Sequence, residues 1–229
     1  FLIPFLFAMA IGPKLNWIKS ELKIKLHLVL FLLISFSLSA FIVKILNINF
    51  LLNTILFTSA FYLFFSTSRD FFVNKLRSFS QNIAHLGFSL LILSILFNNI
   101  LATEIITNLK VGETFNNEKL KINFEKIVKR DEQNFKAIIG KFNIENLGGK
   151  TEIFEPELRI YNQPNIVTSE ADIKTNLITD KFITMNIVQN KDYFNIRYQI
   201  KPLMAWIWIS VLLIAFGGLV GLFQRAYER

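Results

Sequence analysis

The feature of this sequence that most constrains its fold is a set of long segments without a single charged residue. Five such runs are present, at residues 1–13, 26–43, 45–68, 78–103 and 202–224. A helix that spans a bilayer needs about 20 mainly apolar residues, with a range of roughly 17–25. The last four runs reach that length, whereas the first provides only the end of a helix. The sequence therefore predicts four complete transmembrane helices and the end of a fifth.

The start of the chain indicates that residues are missing upstream. Phe1 stands where a complete protein would carry Met, and the chain is hydrophobic from that position without the basic start of a signal peptide. We therefore expect a truncated sequence. A gene split in two would give the same start.

The distribution of charge predicts the orientation of the helices. Residues 104–201 hold 15 of the 25 Lys and Arg residues and 14 of the 17 Asp and Glu residues, which leaves 10 basic and 3 acidic residues elsewhere. Nine of these ten lie in three short stretches: Lys14, Lys19, Lys23 and Lys25; Arg69, Lys75 and Arg77; Arg225 and Arg229. Loops rich in Lys and Arg remain in the cytoplasm. We therefore expect 104–201 to lie outside, and the net charge of +8 reflects topology rather than nucleic-acid binding.

The outer segment has the pattern of a β-rich domain. Its β-branched and aromatic stretches are EKLKINFEKI, NFKAIIGKFNIE, GKTEIFEPELRIY, DKFITMNIVQ and DYFNIRYQI, with turn sequences such as NLGGK and YNQPN between them. About 100 residues is a usual size for one domain. The sequence thus predicts a polytopic α-helical membrane protein with an inserted β-sandwich or small barrel. The expected parts are helices at 1–103, the outer domain at 104–201, and a final helix with its tail at 202–229.

A histidine lies inside the run at 78–103. On a helix, Ser78, Gln81, Asn82, His85 and Ser89 fall within an arc of about 100° and form a polar stripe near the cytoplasmic end. Such a stripe normally faces the bundle interior because lipid offers no hydrogen bonds. We expect no acidic neighbour in the helices, so His85 points to iron ligation, a proton step or a hydrogen bond between helices.

Other candidate residues favour structural roles. His27 begins its helix and is typical of an interfacial residue, and two histidines are too few for a zinc site built from protein ligands alone. The chain has no Cys, so any redox role would need a cofactor. Glu155 and Glu157 stand two apart on a predicted strand, which favours a solvated edge over a catalytic pair.

The final helix carries two recognisable patterns. Trp206 and Trp208 predict an aromatic belt at the outer interface. Gly217 and Gly221 form a GxxxG pattern, which allows two helices to pack closely.

Several of these pieces together resemble the C-terminal part of the cytochrome c maturation protein F (CcmF) family. They are AIGPKLNW, IAHLGFSLLILSI, PELRIYNQPNIVTSEADIKTNLITD and KPLMAWIWISVLLIAFGGLVGLFQR, which occur in order with suitable spacing. The resemblance covers essentially the whole chain. It implies a multi-pass protein of the bacterial inner membrane, with residues 104–201 in the periplasm.

The resemblance also implies a function in cytochrome c biogenesis. Members of the family are haem lyases, which take haem from a periplasmic haem chaperone and join it by thioether bonds to the Cys-x-x-Cys-His motif of apocytochrome c. The family holds a resident haem b between two membrane histidines, and His85 in AHLG matches one of these axial ligands to the haem iron. No catalytic residue is assigned, and the expected partners are the membrane, apocytochrome c, the chaperone and other cytochrome c maturation subunits, without nucleic acid.

The sequence departs from the complete family pattern, and alternatives stay open. The tryptophan-rich external motif and two periplasmic histidines of the family would lie upstream, so the fragment alone is not expected to perform ligation. Arg159, Tyr161, Glu170 and Asp172 lie in matching stretches, and the resemblance assigns them no role beyond fold or partner contact. A non-enzymatic assembly subunit and a haem transporter are the alternative functions.

The charge distribution gives a testable topology. Reporter fusions at Asn146 and at Arg229 are expected to be active on opposite sides, Asn146 outside and Arg229 in the cytoplasm, because the basic stretches hold the loops inside. Alkaline phosphatase, which is active outside, and green fluorescent protein, which is fluorescent in the cytoplasm, are fused at each position to measure the side on which it lies. An outside-active signal at Arg229 would contradict the predicted orientation.

Overall fold

The computed structural model describes residues 1–14, 26–73, 79–118, 120–146 and 148–227, without the side chains of residues 225 and 227. Several residues named above lie outside the described part: Lys19, Lys23, Lys25, Lys75, Arg77, Ser78, Arg229 and the side chain of Arg225. The chain divides into two compact units, Phe1–Ile100 with Leu203–Arg229 and Leu101–Pro202. The first is helical and the second is built of strands, which confirms the predicted fold class.

Within the described residues, the helical unit contains five α-helices. They are α1 (Leu2–Ile11, followed by the short 3-10 helix Gly12–Lys14), α2 (Leu26–Ile45), α3 (Phe50–Val73), α4 (Phe79–Leu101) and α5 (Met204–Tyr227). Four of them, α2 to α5, are long and apolar enough to cross a membrane. This is the helical part of a multi-pass membrane protein, in which α1 supplies a shorter apolar helix.

α3 is the central helix of its unit. Aromatic rings on α3 pack against rings on α1, α2 and α4. The ring centroids are 5.5 Å apart for Tyr62 and Phe7 of α1, 6.3 Å for Phe65 and Phe31 of α2, and 5.1 Å for Phe57 and Phe97 of α4. Offset and edge contacts at these centroid distances are favourable for aromatic pairs. The buried core of this unit therefore forms around the Phe-rich centre of α3.

α3 is longer than the sequence predicts. The charge-free run indicated a helix that ends near residue 67, but α3 continues to Val73 and includes Arg69 and Asp70. The helix can continue because Asp70 is paired with Lys14 at 3.0 Å, and because the ring of Phe71 packs 5.8 Å from that of Phe79. The expectation of no acidic neighbour in the helices is thus wrong, since Asp70 lies on one of them.

The second unit is an antiparallel β-sandwich of ten strands. The strands are β1 (Thr103–Leu109), β2 (Thr114–Asn116), β3 (Leu120–Asp131), β4 (Phe135–Asn146), β5 (Thr151–Phe154), β6 (Glu157–Tyr161), β7 (Ile166–Glu170), β8 (Asp172–Thr175), β9 (Thr179–Ile187) and β10 (Phe194–Pro202). One sheet has the order β1-β10-β9-β8, and the other has β2-β3-β4-β6-β7 with β5 paired to β4. Alternate side chains of both sheets form one apolar core.

Four strands were not predicted, and each is short or half exposed. The five predicted segments correspond to β3, β4, β5 with β6, β9 and β10, whereas β1, β2, β7 and β8 were missed. All four missed strands lie at sheet edges. Two of them, β7 and β8, bury little, so their sequences lack a strong apolar pattern.

α4 and α5 cross at glycines. A Cβ atom placed on Gly217 would lie 2.8 Å from the backbone oxygen of Ser80 and 2.8 Å from the backbone nitrogen of Ala84. A Cβ on Gly221 would lie 3.2 Å from Ser80 Oγ, whereas one on Gly218 would meet nothing within 4 Å. The GxxxG pattern therefore faces α4, and the adjacent glycine does not.

This crossing predicts opposite effects for two neighbouring substitutions. Gly217→Ala should destabilise the helical unit by about 1–3 kcal/mol because its methyl group meets backbone atoms that cannot move aside. Gly218→Ala, the matched control, should be neutral or slightly stabilising because alanine is the better helix former. Unfolding in a detergent titration, followed by circular dichroism at 222 nm, compares them. Equal midpoints for both variants would contradict the close crossing.

Candidate functional site

His85 lies near the beginning of α4, and its side chain is half-buried. The described members of the predicted stripe do not share one environment: Asn82 and Ser89 are buried, and Gln81 is exposed. Ser89 donates its hydroxyl hydrogen bond to the backbone oxygen of Leu86, 2.8 Å away on the same helix. The stripe is therefore divided, and Asn82 is the member that reaches another helix.

Four polar residues connect the 3-10 helix after α1, the end of α3 and the start of α4. We call them the polar cluster: Lys14, Ser66, Asp70 and Asn82. Lys14 Nζ lies 3.0 Å from Asp70 Oδ2, and it also donates to Ser66 Oγ and, at 3.1 Å, to the backbone oxygen of Ala10. Asn82 Nδ2 donates to the backbone oxygen of Asp70 at 3.2 Å. The cluster thus ties the segment after α1 and the start of α4 to the last turns of α3.

The charged pair in this cluster is mostly withdrawn from solvent. The side chains of Lys14 and Asp70 are only 15% and 14% exposed. Burial of two charges is costly, and the attraction between them offsets that cost only when further hydrogen bonds satisfy both groups. Ser66 and the Ala10 carbonyl provide such bonds to the ammonium group. Loss of Asp70 would leave the Lys14 ammonium buried without its counter-charge, whereas loss of Lys14 would leave Asp70 with the more exposed Arg69 at 3.6 Å.

The polar cluster borders His85. Asn82 precedes His85 by three residues on α4, so the two side chains are neighbours on the helix surface. Asn82 in turn donates to the backbone oxygen of Asp70, so the ion pair reaches α4 one turn before His85. The site therefore combines one imidazole with a nearby ion pair that comes from distant parts of the sequence.

The donor atoms around His85 suit a cofactor that needs few protein ligands. Within the described part of the chain, no group of three or more His, Cys, Asp or Glu residues could hold a metal ion. Across the same residues, no hydrogen bond from the protein engages either nitrogen of the His85 ring. A haem iron takes its axial ligand from a single imidazole. His85 fits that requirement.

The second histidine has a different setting. His27 is the second residue of α2, where it is half-buried, and its ring lies edge-on to that of Phe31 with centroids 6.0 Å apart. Packing of an imidazole body against an apolar ring is typical of an interfacial side chain. The assignment of His27 as interfacial stays a prediction.

The β-sandwich residues singled out by sequence take part in surface ion pairs. Arg159 on β6 donates to Glu157 Oε2 at 3.0 Å and stacks 5.0 Å from the ring of Phe135, which also lies 5.3 Å from Tyr161. The bond to Glu157 raises the pKa of Arg159 above its ordinary value. Glu157 also accepts from Arg130 at 3.1 Å. Glu157 is thus paired with two arginines, Arg130 and Arg159, and these contacts do not involve Glu155.

The other two residues of those stretches hold local structure. Asp172 Oδ2 accepts a hydrogen bond from the backbone nitrogen of Glu155 at 2.7 Å, and Glu170 Oε1 accepts one from Thr168 at 3.0 Å. The first bond joins the connection between β5 and β6 to the start of β8, and the second lies within β7.

Sequence reasoning missed the polar cluster, although one signal was present. Asp70 is one of only three acidic residues outside 104–201. A lone carboxylate beside a membrane segment needs a cation or strong donors, and Lys14 follows another apolar segment. That complementarity was visible in the sequence, but the pairing of the two residues was not.

The fold and the site define a multi-pass membrane protein that carries a β-sandwich and places an imidazole among its helices. Residues 100–202 match the family model described as the CcmF C-terminal beta-sandwich. The cytochrome c-type biogenesis protein CcmF of Haemophilus influenzae is 23% identical over 241 residues, which cover 98% of this chain and 37% of that protein. The chain is therefore similar to CcmF proteins, through its β-sandwich by the family model and over nearly its whole length by this relative.

Further comparisons agree with this family. CcmF of Escherichia coli is 24% identical over 146 residues, which cover 64% of this chain and 23% of that protein. The solved structure named Cytochrome c Heme Lyase CcmF superposes with a TM-score of 0.73 at 19% identity, covering 95% of this chain and 38% of that one, which shows a common fold. The chain thus spans less than two fifths of the length of these relatives.

The buried ion pair gives a quantitative prediction. Asp70→Asn should lower the free energy of unfolding of the helical unit by about 3 kcal/mol because the Lys14 ammonium is left buried without its counter-charge. Lys14→Met combined with Asp70→Asn should recover part of that loss. Unfolding in a detergent titration measures both variants.

A second ion pair on the same carboxylate supplies the control. Arg69 lies 3.6 Å from Asp70 but is more exposed, so Arg69→Gln should change stability by about 1 kcal/mol or less. If Asp70→Asn costs no more than Arg69→Gln, or if Lys14→Met adds its full cost to that of Asp70→Asn, the two charges are not coupled as described.

Proposed function

We propose that this chain is the C-terminal part of a membrane haem lyase for cytochrome c biogenesis, in which His85 is an axial ligand to a resident haem b. The observation that carries the proposal is the setting of His85. Its imidazole is half-buried in a helix that can span a membrane, and it forms no hydrogen bond with the described protein groups. The names of the relatives, cytochrome c-type biogenesis proteins and a haem lyase, supply the reaction class.

The residues of this chain would hold and orient such a ligand. A haem iron supplies a redox-active centre that accepts the lone pair of a neutral imidazole nitrogen. The Asn82 bond to the backbone of Asp70 fixes the beginning of α4, one turn from His85. The ion pair of Asp70 with Lys14 in turn fixes the end of α3. These bonds set where the imidazole lies before any ligand arrives.

The substrates and partners of the proposal follow from the family. The haem to be attached comes from a periplasmic haem chaperone, and its acceptor is the thiol pair of an apocytochrome c. Other cytochrome c maturation subunits and the bacterial inner membrane complete the setting, with residues 104–201 in the periplasm. Because the chain spans only a part of its relatives, we assign the ligation reaction to the complete protein.

The second axial ligand is a further part of the proposal. We expect it from a histidine of the complete protein outside this chain. His27 is the other histidine available here, and its edge contact with Phe31 favours a packing role. Both histidines therefore belong in the experiment.

Replacement of His85 tests the proposal directly. In the complete protein, or in this chain joined with its upstream half, His85→Ala should abolish or greatly weaken the six-coordinate low-spin haem spectrum because one of two strong ligands is lost. His27→Ala is the matched control and should leave the spectrum unchanged. Added imidazole should restore six-coordination in His85→Ala and have no effect on the unsubstituted protein.

The spectrum distinguishes a ligand from a residue that only braces helices. A bracing histidine would change stability in His85→Ala without changing the coordination of the remaining haem. If His85→Ala keeps a normal bis-histidine spectrum at full haem occupancy, the ligand assignment is wrong. Loss of the spectrum in His27→Ala alone would move the ligand to α2.

A further inference from the structure

An exposed apolar pair occupies the tip of the hairpin between β8 and β9. Leu177 and Ile178 are the two central residues of the turn, and they are 67% and 69% exposed. We call them the apolar tip. Turns of this length usually carry Gly, Asn, Asp, Pro or Ser, which solvate well and adopt turn geometry easily. Two adjacent large aliphatic side chains at such a position would gain free energy from a partner that removes them from water.

The apolar tip is held rigidly by one asparagine. Asn176 Oδ1 accepts hydrogen bonds from the backbone nitrogens of Ile178 at 2.8 Å and Thr179 at 2.7 Å. The backbone nitrogen of Asn176 donates to the oxygen of Thr179 at 3.1 Å, which closes the hairpin. The turn is therefore satisfied by its own polar groups. Its two aliphatic side chains are left to face outward in a fixed geometry.

The strand register places this tip at the end of the sheet where the chain meets its membrane helices. Thr179, the first residue of β9, pairs with Pro202, and α5 starts two residues later at Met204. β1 starts at Thr103, two residues after the end of α4, and Thr103 pairs with Ile200 on the same strand as Pro202. Neighbouring strands are only about 4.8 Å apart. The apolar tip thus lies within a few residues of two chain segments that enter a bilayer.

We propose that the apolar tip inserts into the interfacial region of the lipid bilayer, so that the β-sandwich rests on the membrane through Leu177 and Ile178. The occupant of this surface is lipid, because the tip adjoins the ends of α4 and α5, two helices long and apolar enough to cross a membrane. An aliphatic pair on a rigid turn buries apolar area there without exposing unsatisfied backbone groups, because Asn176 satisfies them. The interaction does not depend on haem or on the assignment of His85.

Site-specific fluorescence on the full chain tests the proposal. The chain contains no Cys, so Leu177→Cys and Ile178→Cys each give one site for a small neutral label such as nitrobenzoxadiazole. Both side chains are exposed, so the substitutions leave the core intact. The labelled chain is reconstituted into phosphatidylcholine vesicles with or without a phospholipid that carries a nitroxide near its head group.

Val111→Cys is the matched control. Val111 is also apolar, 47% exposed and in a turn, but it follows the far end of β1, which extends from Thr103 to Leu109. The length of that strand puts it roughly 20 Å from the tethered end of the sheet. A label at position 111 therefore shows the fluorescence of the same dye at an exposed turn far from the tethered end of the sheet.

The expected result is a blue-shifted emission at positions 177 and 178 and at least a twofold loss of intensity with the nitroxide lipid. The label at position 111 should lose little with that lipid and be quenched by aqueous iodide. Equal quenching by nitroxide lipid at all three positions would overturn the proposal. Labels at 177 and 178 that are shielded from iodide but untouched by nitroxide lipid would also overturn it, because a protein surface and not lipid would then cover the tip.

Discussion

A bilayer provides no hydrogen-bond partners, so every polar group in the helical unit has to be satisfied by the protein itself. Several hydroxyl groups meet this demand within their own helix: the side chains of Ser39, Thr58, Thr67 and Ser210 donate to the backbone oxygen four residues earlier. The charged residues meet it by pairing, as Lys14 and Asp70 do. Two buried hydroxyls, Ser35 Oγ and Thr54 Oγ1, find no partner among the described residues. His85 carries the functional proposal because it is an ionisable group on a helix long and apolar enough to span a membrane.

The same constraint explains how far the sequence alone could lead. α2, α4 and α5 were predictable because a charge within a lipid-facing run is expensive, and their sequences contain long stretches without one. The rule failed at α3, where Arg69 and Asp70 continue the helix. An ion pair from a residue 56 positions away in sequence, Lys14, removes the cost that the rule assumes. Such compensation is invisible until the two residues are brought together.

The β-sandwich shows a different limit. β3 and β4 alternate apolar and polar residues because one face packs into the core, where Phe124 and Phe142 stack with centroids 4.3 Å apart. β7 and β8 lie at the sheet edges, pair on one side only and bury few side chains. Their sequences are therefore only weakly patterned, and the position of these strands follows from pairing with β6 and β9 rather than from local preference.

The position of His85 is determined from both sides along α4. Three residues before it, Asn82 is bonded to the backbone of Asp70. Two residues after it, Gly87 approaches α5 so closely that a Cβ atom there would lie 3.0 Å from the backbone nitrogen of Ile214. A rotation of α4 would break the first contact and create a clash at the second. The imidazole is therefore preorganised by two unrelated contacts within about one and a half turns of helix, as a metal ligand requires.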